Sequence, residues 1–398
     1  MASFLVVVLA PMSARAQSDV SAADAIRRAL DRPEAARRLE ARLETSRARL
    51  AEATVTPTPR LTVSHEQVFG DVNVGYLEFS AMVEQSFDLS GWRASLGETS
   101  AHKESALRAE ADGWTLAVAT SVRESFFGVR YREERLVVLD AWIDRLERGI
   151  EGIEARQAQG DVSAYQTLRI ERELELARAR RAAESAALAQ EWAALERWTA
   201  WESRPDLVGA LRPSRDDGEA STSPRRPQLE RLGHLETALE LELDAWGTPG
   251  LRDWSVGVGY RYAQVGPSVG QGALVTLSVP LALWNTDTPR LERLRAQRAD
   301  VRSELTLRTH EAERRTRAER IRLDAALDAL DLMPDPSRDA DLSRLARVAF
   351  DANEASLTEL LDAFESEANL QLARIDLQWE ARRAAIALDH SLGLGVPR

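Results

Sequence analysis

Few side chains in this 398-residue chain are spaced to do covalent chemistry. There is no cysteine, which excludes a thiolate nucleophile, a thiolate metal site and a disulfide. The five histidines, His65, His102, His234, His310 and His390, are scattered, and none pairs with another at ligand spacing. The four methionines do not cluster. Spacing therefore offers no metal site and implies no cofactor. Gly266-Pro267-Ser268-Val269-Gly270 matches a Gly-x-Ser-x-Gly nucleophile elbow, but that motif needs a strand before it and a helix after it. Here it lies between two strand patterns and reads as a hairpin loop. Gly257-Val258-Gly259 lacks the third glycine of a dinucleotide fingerprint and lies inside a strand, where it leaves room on one face. With no nucleophile–base or metal constellation, an enzyme is disfavoured. Two polar spacings do stand out. Ser163-x-x-Gln166 and Ser356-x-x-Glu359 are capping boxes that start helices. Glu359 and Asp362, three apart, share a helix face, which is either a solvated face or an acidic lining.

The elements around these residues are mostly helical. Ala, Leu, Glu and Arg dominate long stretches poor in Gly and Pro. Helices are expected over 22–30, from Pro33 to Thr54, 92–157, 163–202, 228–246, 288–332, 338–351 and 356–392. The stretch from Trp92 to Gln157 would be about 100 Å of helix at 1.5 Å per residue. Helices of that length need side-by-side partners, as in a coiled coil or a helical tube. Pro334 and Pro336 should kink the helix they interrupt.

Two regions, 60–87 and 253–283, alternate with period two instead. Leu77, Phe79, Ala81 and Val83 alternate with Glu78, Ser80, Met82 and Glu84; Trp254, Val256, Val258, Tyr260 and Tyr262 alternate with Ser255, Gly257, Gly259, Arg261 and Ala263. Each region reads as two strands of about ten residues, the length of a tilted strand crossing a bilayer, with Gly70 to Gly75 and Gly266 to Gly272 as turns. One face is apolar and the other small or polar, as a barrel with lipid outside and water inside requires. Trp254, Tyr260, Tyr262 and Trp284 sit at or near strand ends and are candidates for an aromatic girdle at the membrane interface.

The organisation is duplicated at an offset near 193 residues: Gly160-Asp161-Val162-Ser163 aligns with Asn353-Glu354-Ala355-Ser356. The expected layout is a signal peptide over 1–16, a first repeat over 17–202, a surface linker over 203–227 and a second repeat over 228–398. The leader rests on the apolar run from Phe4 to Met12 and the small-x-small signature Ala14-Arg15-Ala16, although a basic n-region is missing. No later run is apolar enough for a transmembrane helix. With 52 basic against 64 acidic side chains, the net charge is −12, which argues against nucleic acid as a partner. Four strands cannot close a membrane barrel, and open edges are not tolerated in lipid. The chain must therefore oligomerise, although closure alone does not choose three copies.

This layout resembles the TolC family of outer-membrane efflux channels, and within it the CzcC-like heavy-metal branch. The resemblance covers the whole mature chain. It rests on the duplicated helix–hairpin–helix plan, on Val279-Pro280-Leu281-Ala282-Leu283-Trp284-Asn285, and on the turns at 160–168 and 353–363. It implies a mainly α fold with a small β part: a homotrimer with a twelve-stranded outer-membrane barrel and a periplasmic tunnel of long helices. The implied partners are outer-membrane lipid, a periplasmic adaptor and an inner-membrane, proton-driven pump. The two turns become the tips that meet the adaptor, and Glu359 and Asp362 a three-fold acidic constriction. The first-half counterparts, Gln166 and Arg169, do not repeat these acids. Asn353 replaces the glycine usual in the second turn, and relatives with a lipidated N-terminal cysteine have no counterpart here. An outer-membrane component of type I protein secretion would look the same. A soluble periplasmic coiled-coil adaptor would need the helices but not the strands.

Overall fold

A computed structural model describes residues 19–68, 75–89, 91–157, 163–215, 225–247, 254–279, 288–334, 336–352 and 354–396. The elements in chain order are β1 (Val20–Ser21), α1 (Ala22–Leu30), α2 (Pro33–Thr54), β2 (Arg60–Val68), β3 (Tyr76–Phe87), α3 (Trp92–Gln157), α4 (Ala164–Thr199), β4 (Leu207–Val208), α5 (Pro227–Gly247), β5 (Trp254–Val265), β6 (Ser268–Ser278), α6 (Thr288–Leu332), α7 (Pro336–Asp351) and α8 (Leu357–Leu392). The fold is mainly α with a small β part: α2, the β2–β3 pair, α3 and α4 are followed, after β4, by α5, the β5–β6 hairpin, α6, α7 and α8.

The chain forms two compact units. One comprises the described residues within 1–32, 115–225 and 314–398 and is helical apart from the short β1–β4 pair. Its cores are built where apolar faces of the long helices meet. Val118, Val122, Phe126 and Val129 of α3 pack with Ile26 of α1, Trp192 and Leu195 of α4, and Ile386 of α8. A second cluster joins Leu139, Trp142 and Leu146 of α3 to Ile170 and Leu174 of α4, and to Leu357, Leu360 and Phe364 of α8. A third joins Leu323, Leu327 and Leu330 of α6 to Ala381, Ala385 and Leu388 of α8.

The other unit comprises residues 33–114 and 226–313 and contains the β-sheet. Its four strands run in the order β2-β3-β5-β6, every pairing antiparallel. The central ladder, from Tyr76 opposite Val265 to Phe87 opposite Trp254, joins the hairpins of the two repeats into one sheet.

Several expectations are refined. α4 ends at Thr199 rather than near residue 202, because Ala200 turns left-handed at φ 45° while its N–H still bonds Glu196. The two prolines break the helix outright instead of kinking it: α6 stops at Leu332 and Pro336 opens α7, where its missing N–H costs nothing. The second hairpin turns tightly at Gly266, with φ +55°, and Pro267; Gly270 and Gly272 belong to β6. In the segment between the repeats, β4 pairs in parallel with β1, and Leu207 and Leu211 are buried. The Arg382 guanidinium donates to the carbonyls of Leu211, Ala210 and Arg212 at 2.9, 2.8 and 3.0 Å. This stretch is anchored to the helical unit, at carbonyls that composition does not reveal. The leader and its cleavage position lie outside the described residues.

Candidate functional site

Apolar side chains predominate on one face of the sheet and polar ones on the other. In register across the four strands stand Leu61, Val83, Val258 and Val275; then Val63, Ala81, Tyr260 and Ala273; then His65, Phe79, Tyr262 and Gln271. Period-two geometry puts all of these on one side. That face is open: Leu61 is 66% exposed, Val258 61% and Val275 71%. Each such side chain forgoes about 1.5–3 kcal/mol when left in water. A contiguous apolar surface of this extent marks a membrane or partner surface.

The opposite face holds the charges. Its rows are Arg60, Glu84, Gly257 and Thr276; Ser64, Ser80, Arg261 and Gly272; and Glu66, Glu78, Ala263 and Gly270. Several of them pair. Arg261 pairs with Glu78 at 2.6 Å, the Tyr76 hydroxyl donates to the same carboxylate, Ser255 donates to Glu84, and the Ser64 and Ser80 hydroxyls meet at 2.7 Å. Gly259 is required by close approach: a Cβ there would lie 2.5 Å from the Ala81 carbonyl oxygen and 2.9 Å from Met82 Cα. The glycine makes room for the neighbouring strand, and not only for space above the face.

β2 and β6 are each paired on one side only, so the described sheet has two open edges. No helix among the described residues is long and apolar enough to cross a membrane.

Of the girdle candidates, Trp254 opens β5 opposite Phe87 and is half-buried. Tyr260 is exposed but stands midway along the strand, and Tyr262 two residues further on. Alternation reports the face of a residue and not its depth, which is why Tyr260 was expected nearer an end. Trp284 lies outside the described residues. A second aromatic group escaped the sequence reading because it sits on helix ends: Trp92 of α3 meets Trp246 of α5 at 5.6 Å, and Arg290 of α6 lies over Trp246 at 3.7 Å.

The turn residues Gly160, Asp161, Val162 and Asn353 also lie outside the described residues. Their neighbours are well defined. At the start of α8, Ser356 N–H and Oγ donate to Glu359 at 2.7 and 2.9 Å, and Glu359 N–H returns a bond to Ser356 Oγ at 3.3 Å. These bonds from Ser356 hold the Glu359 carboxyl below its ordinary value. At the start of α4, Ser163 N–H donates to Gln166 Oε1 at 3.1 Å. Glu354 and Ser356 are exposed and Ala355 half-buried.

Asp362 is exposed, as expected, but it is not isolated. Arg169 of α4 approaches it at 3.6 Å and donates to Thr358 Oγ1 at 3.0 Å. The acidic start of α8 is thus partly neutralised by α4, through a hydrogen bond that spans 189 residues of the chain. Deeper in the helical unit, Glu367 is buried and receives Arg145 at 2.8 Å and Gln371 at 3.0 Å. Glu184 binds Arg132 at 2.8 Å and Arg135 at 3.2 Å. Arg135 also pairs with Asp376, which accepts from the Tyr131 hydroxyl at 2.8 Å. Burial, then that bond, pushes Tyr131 up to about 12.

Sequence spacing also concealed a histidine pair. α3 and α5 bring His102 and His234 together, with Nδ1 atoms 3.4 Å apart. Among the described residues no cluster of three or more His, Asp or Glu is poised to hold a metal ion.

No protein-family model matches the chain, and no curated protein does. Solved structures do. CusC, studied for folding and transmembrane channel formation, aligns with a TM-score of 0.74 and 16% identity over 95% of this chain and 93% of its own. The outer membrane protein VceC of Vibrio cholerae aligns at 0.73 and 15% over 94% and 96%. The open MtrE outer membrane channel of Neisseria gonorrhoeae aligns at 0.69 and 18% over 94% and 89%. At these identities the likeness establishes the fold, that of TolC-type channels.

Proposed function

We propose that this chain is one subunit of a homotrimeric outer-membrane channel, the passive exit duct of a tripartite efflux system. The observation that supports this best is the four-stranded sheet with an open apolar face, a polar face carrying the charges and two open edges. Such a sheet is unstable in water and equally unstable in lipid until its edges pair. Pairing β6 of one copy with β2 of the next inside a bilayer meets both demands, and three copies give twelve strands. Structural relatives described as outer membrane proteins and channels support the same reading.

In this reading the apolar face meets lipid, with Trp254, Tyr260, Tyr262 and Trp284 as the aromatic contacts, and the polar face lines water. The repeats span 17–202 and 228–398, joined through 203–227, and residues 1–16 are the export signal. The helices extend into the periplasm. The tips Gly160–Ser163 and Asn353–Ser356 dock on a periplasmic adaptor, and a proton-driven inner-membrane pump supplies the energy. Glu359 and Asp362 form the constriction. Cargo is small solutes, with heavy-metal cations the class that the CzcC-like resemblance favours. The chain itself performs no catalysis and uses no cofactor.

The test is cross-linking of the full chain in isolated membranes, followed by detergent extraction, sizing by mass and planar-bilayer recording. A heat-sensitive trimer from the outer-membrane fraction that conducts ions is expected. A soluble periplasmic monomer or dimer would overturn the proposal and favour a coiled-coil adaptor.

A further inference from the structure

His102 and His234 are 132 residues apart in the chain, yet their rings face one another within the sheet-bearing unit. The ring centroids are 5.7 Å apart, the planes are tilted by 43°, and both side chains are half-buried. The antiparallel course of α3 and α5 is fixed on either side of the pair. Trp92 meets Trp246 in one direction, and the Gly113 position faces Pro227 in the other. Lys103 adds an ion pair to Glu242 at 3.0 Å. The rings are therefore held by packing that does not depend on them.

The Nδ1–Nδ1 separation of 3.4 Å is at the outer limit for a hydrogen bond between the rings, since N–H donors favour about 2.9–3.0 Å. It does match two ligands on one tetrahedral ion. Bonds of about 2.0–2.1 Å at the tetrahedral angle place two nitrogens about 3.3–3.4 Å apart.

We propose that His102 and His234 form a cross-helix half-site for a divalent, borderline-soft metal ion, best matched by Zn²⁺, with both Nδ1 atoms as ligands. Both rings then keep their proton on Nε2. No third His, Asp or Glu among the described residues completes the set, so two positions go to water or an exchangeable ligand. Such a site is open, unlike a closed four-ligand structural zinc. Its occupancy ties α3, which follows the first hairpin, to α5, which precedes the second.

The experiment is calorimetric titration of the detergent-solubilised full chain with Zn²⁺ at neutral pH. One ion per chain is expected. His102→Gln and His234→Gln should each weaken binding by more than about 100-fold, beyond the range typical for loss of a supporting contact. His65→Gln, on the sheet, should not change it. Zn²⁺ should raise the melting temperature of the unaltered protein and not of the two variants, because it binds the folded state. Should either variant fail to fold, Co²⁺ substitution of the unaltered protein decides. Intense visible bands of tetrahedral cobalt are expected, and a weak octahedral spectrum would overturn the site. Absence of Zn²⁺ binding, or binding retained in both folded variants, would also overturn it.

Discussion

Arg169 changes what the acidic end of α8 presents. Asp362 carries a charge that Arg169 offsets at 3.6 Å, while Glu359 is engaged by the helix cap. If this end lines the conduction path, Arg169→Ala should raise the cation-over-anion permeability ratio in bilayer recordings, and Asp362→Asn should lower it. Unchanged selectivity in both variants would remove these residues from the path. A second residue-scale prediction concerns Gly259. Gly259→Val forces a Cβ against the β3 backbone and should abolish recovery of folded protein from membranes, whereas Gly272→Val, with nothing within 4 Å of its Cβ position, should be tolerated. The cap at Glu359 was legible because its partner lies three residues away. Arg169 with Asp362, and His102 with His234, were not, because each pair joins helices far apart in the chain and meets only in the folded structure.

At the scale of elements, the helical unit depends on buried charge as well as on its apolar clusters. Glu367 is 2% exposed and relies on Arg145. Arg145→Ala should destabilise the helical unit by about 3–5 kcal/mol, since it leaves a buried charge unpaired. Adding Glu367→Gln should recover a substantial part of that loss in denaturant melts. His390 of α8 predicts a pH dependence. Burial, reinforced by Arg315, lowers its pKa, and Thr120 Oγ1 stands 2.9 Å from Nδ1. The folded state therefore resists protonation that the unfolded state accepts. This contribution is complete above the ordinary imidazole value of about 6.5 and is lost as pH falls through the lowered folded value. Thermal melts should show that acid-side loss, and His390→Gln should flatten it. The elements themselves were largely readable. α3 runs 66 residues because nothing in its sequence stops it, and the strands declare themselves by alternation. The end of α4 was missed because Ala200 is not a residue that signals a left-handed cap. The docking of 207–212 was missed because Arg382 recognises its backbone.

For the whole molecule, the apolar sheet face and the two open edges of the described sheet are what the proposal of an oligomeric, lipid-embedded barrel rests on. The sequence carried the first half of that inference in its period-two pattern, and the four-stranded register supplies the second. The number of copies, the adaptor and the cargo are not written in any strand, since they depend on surfaces of other chains. The absence of cysteine makes a direct test clean. Single substitutions Val256→Cys, Val258→Cys and Arg261→Cys of β5 and Gly272→Cys of β6 would be labelled in intact outer membranes with a membrane-impermeant, water-soluble maleimide. The account predicts that labelling follows the face: Arg261→Cys and Gly272→Cys react, while Val256→Cys and Val258→Cys are protected until the lipid is dissolved. Equal reaction at all four positions would contradict a lipid-facing barrel.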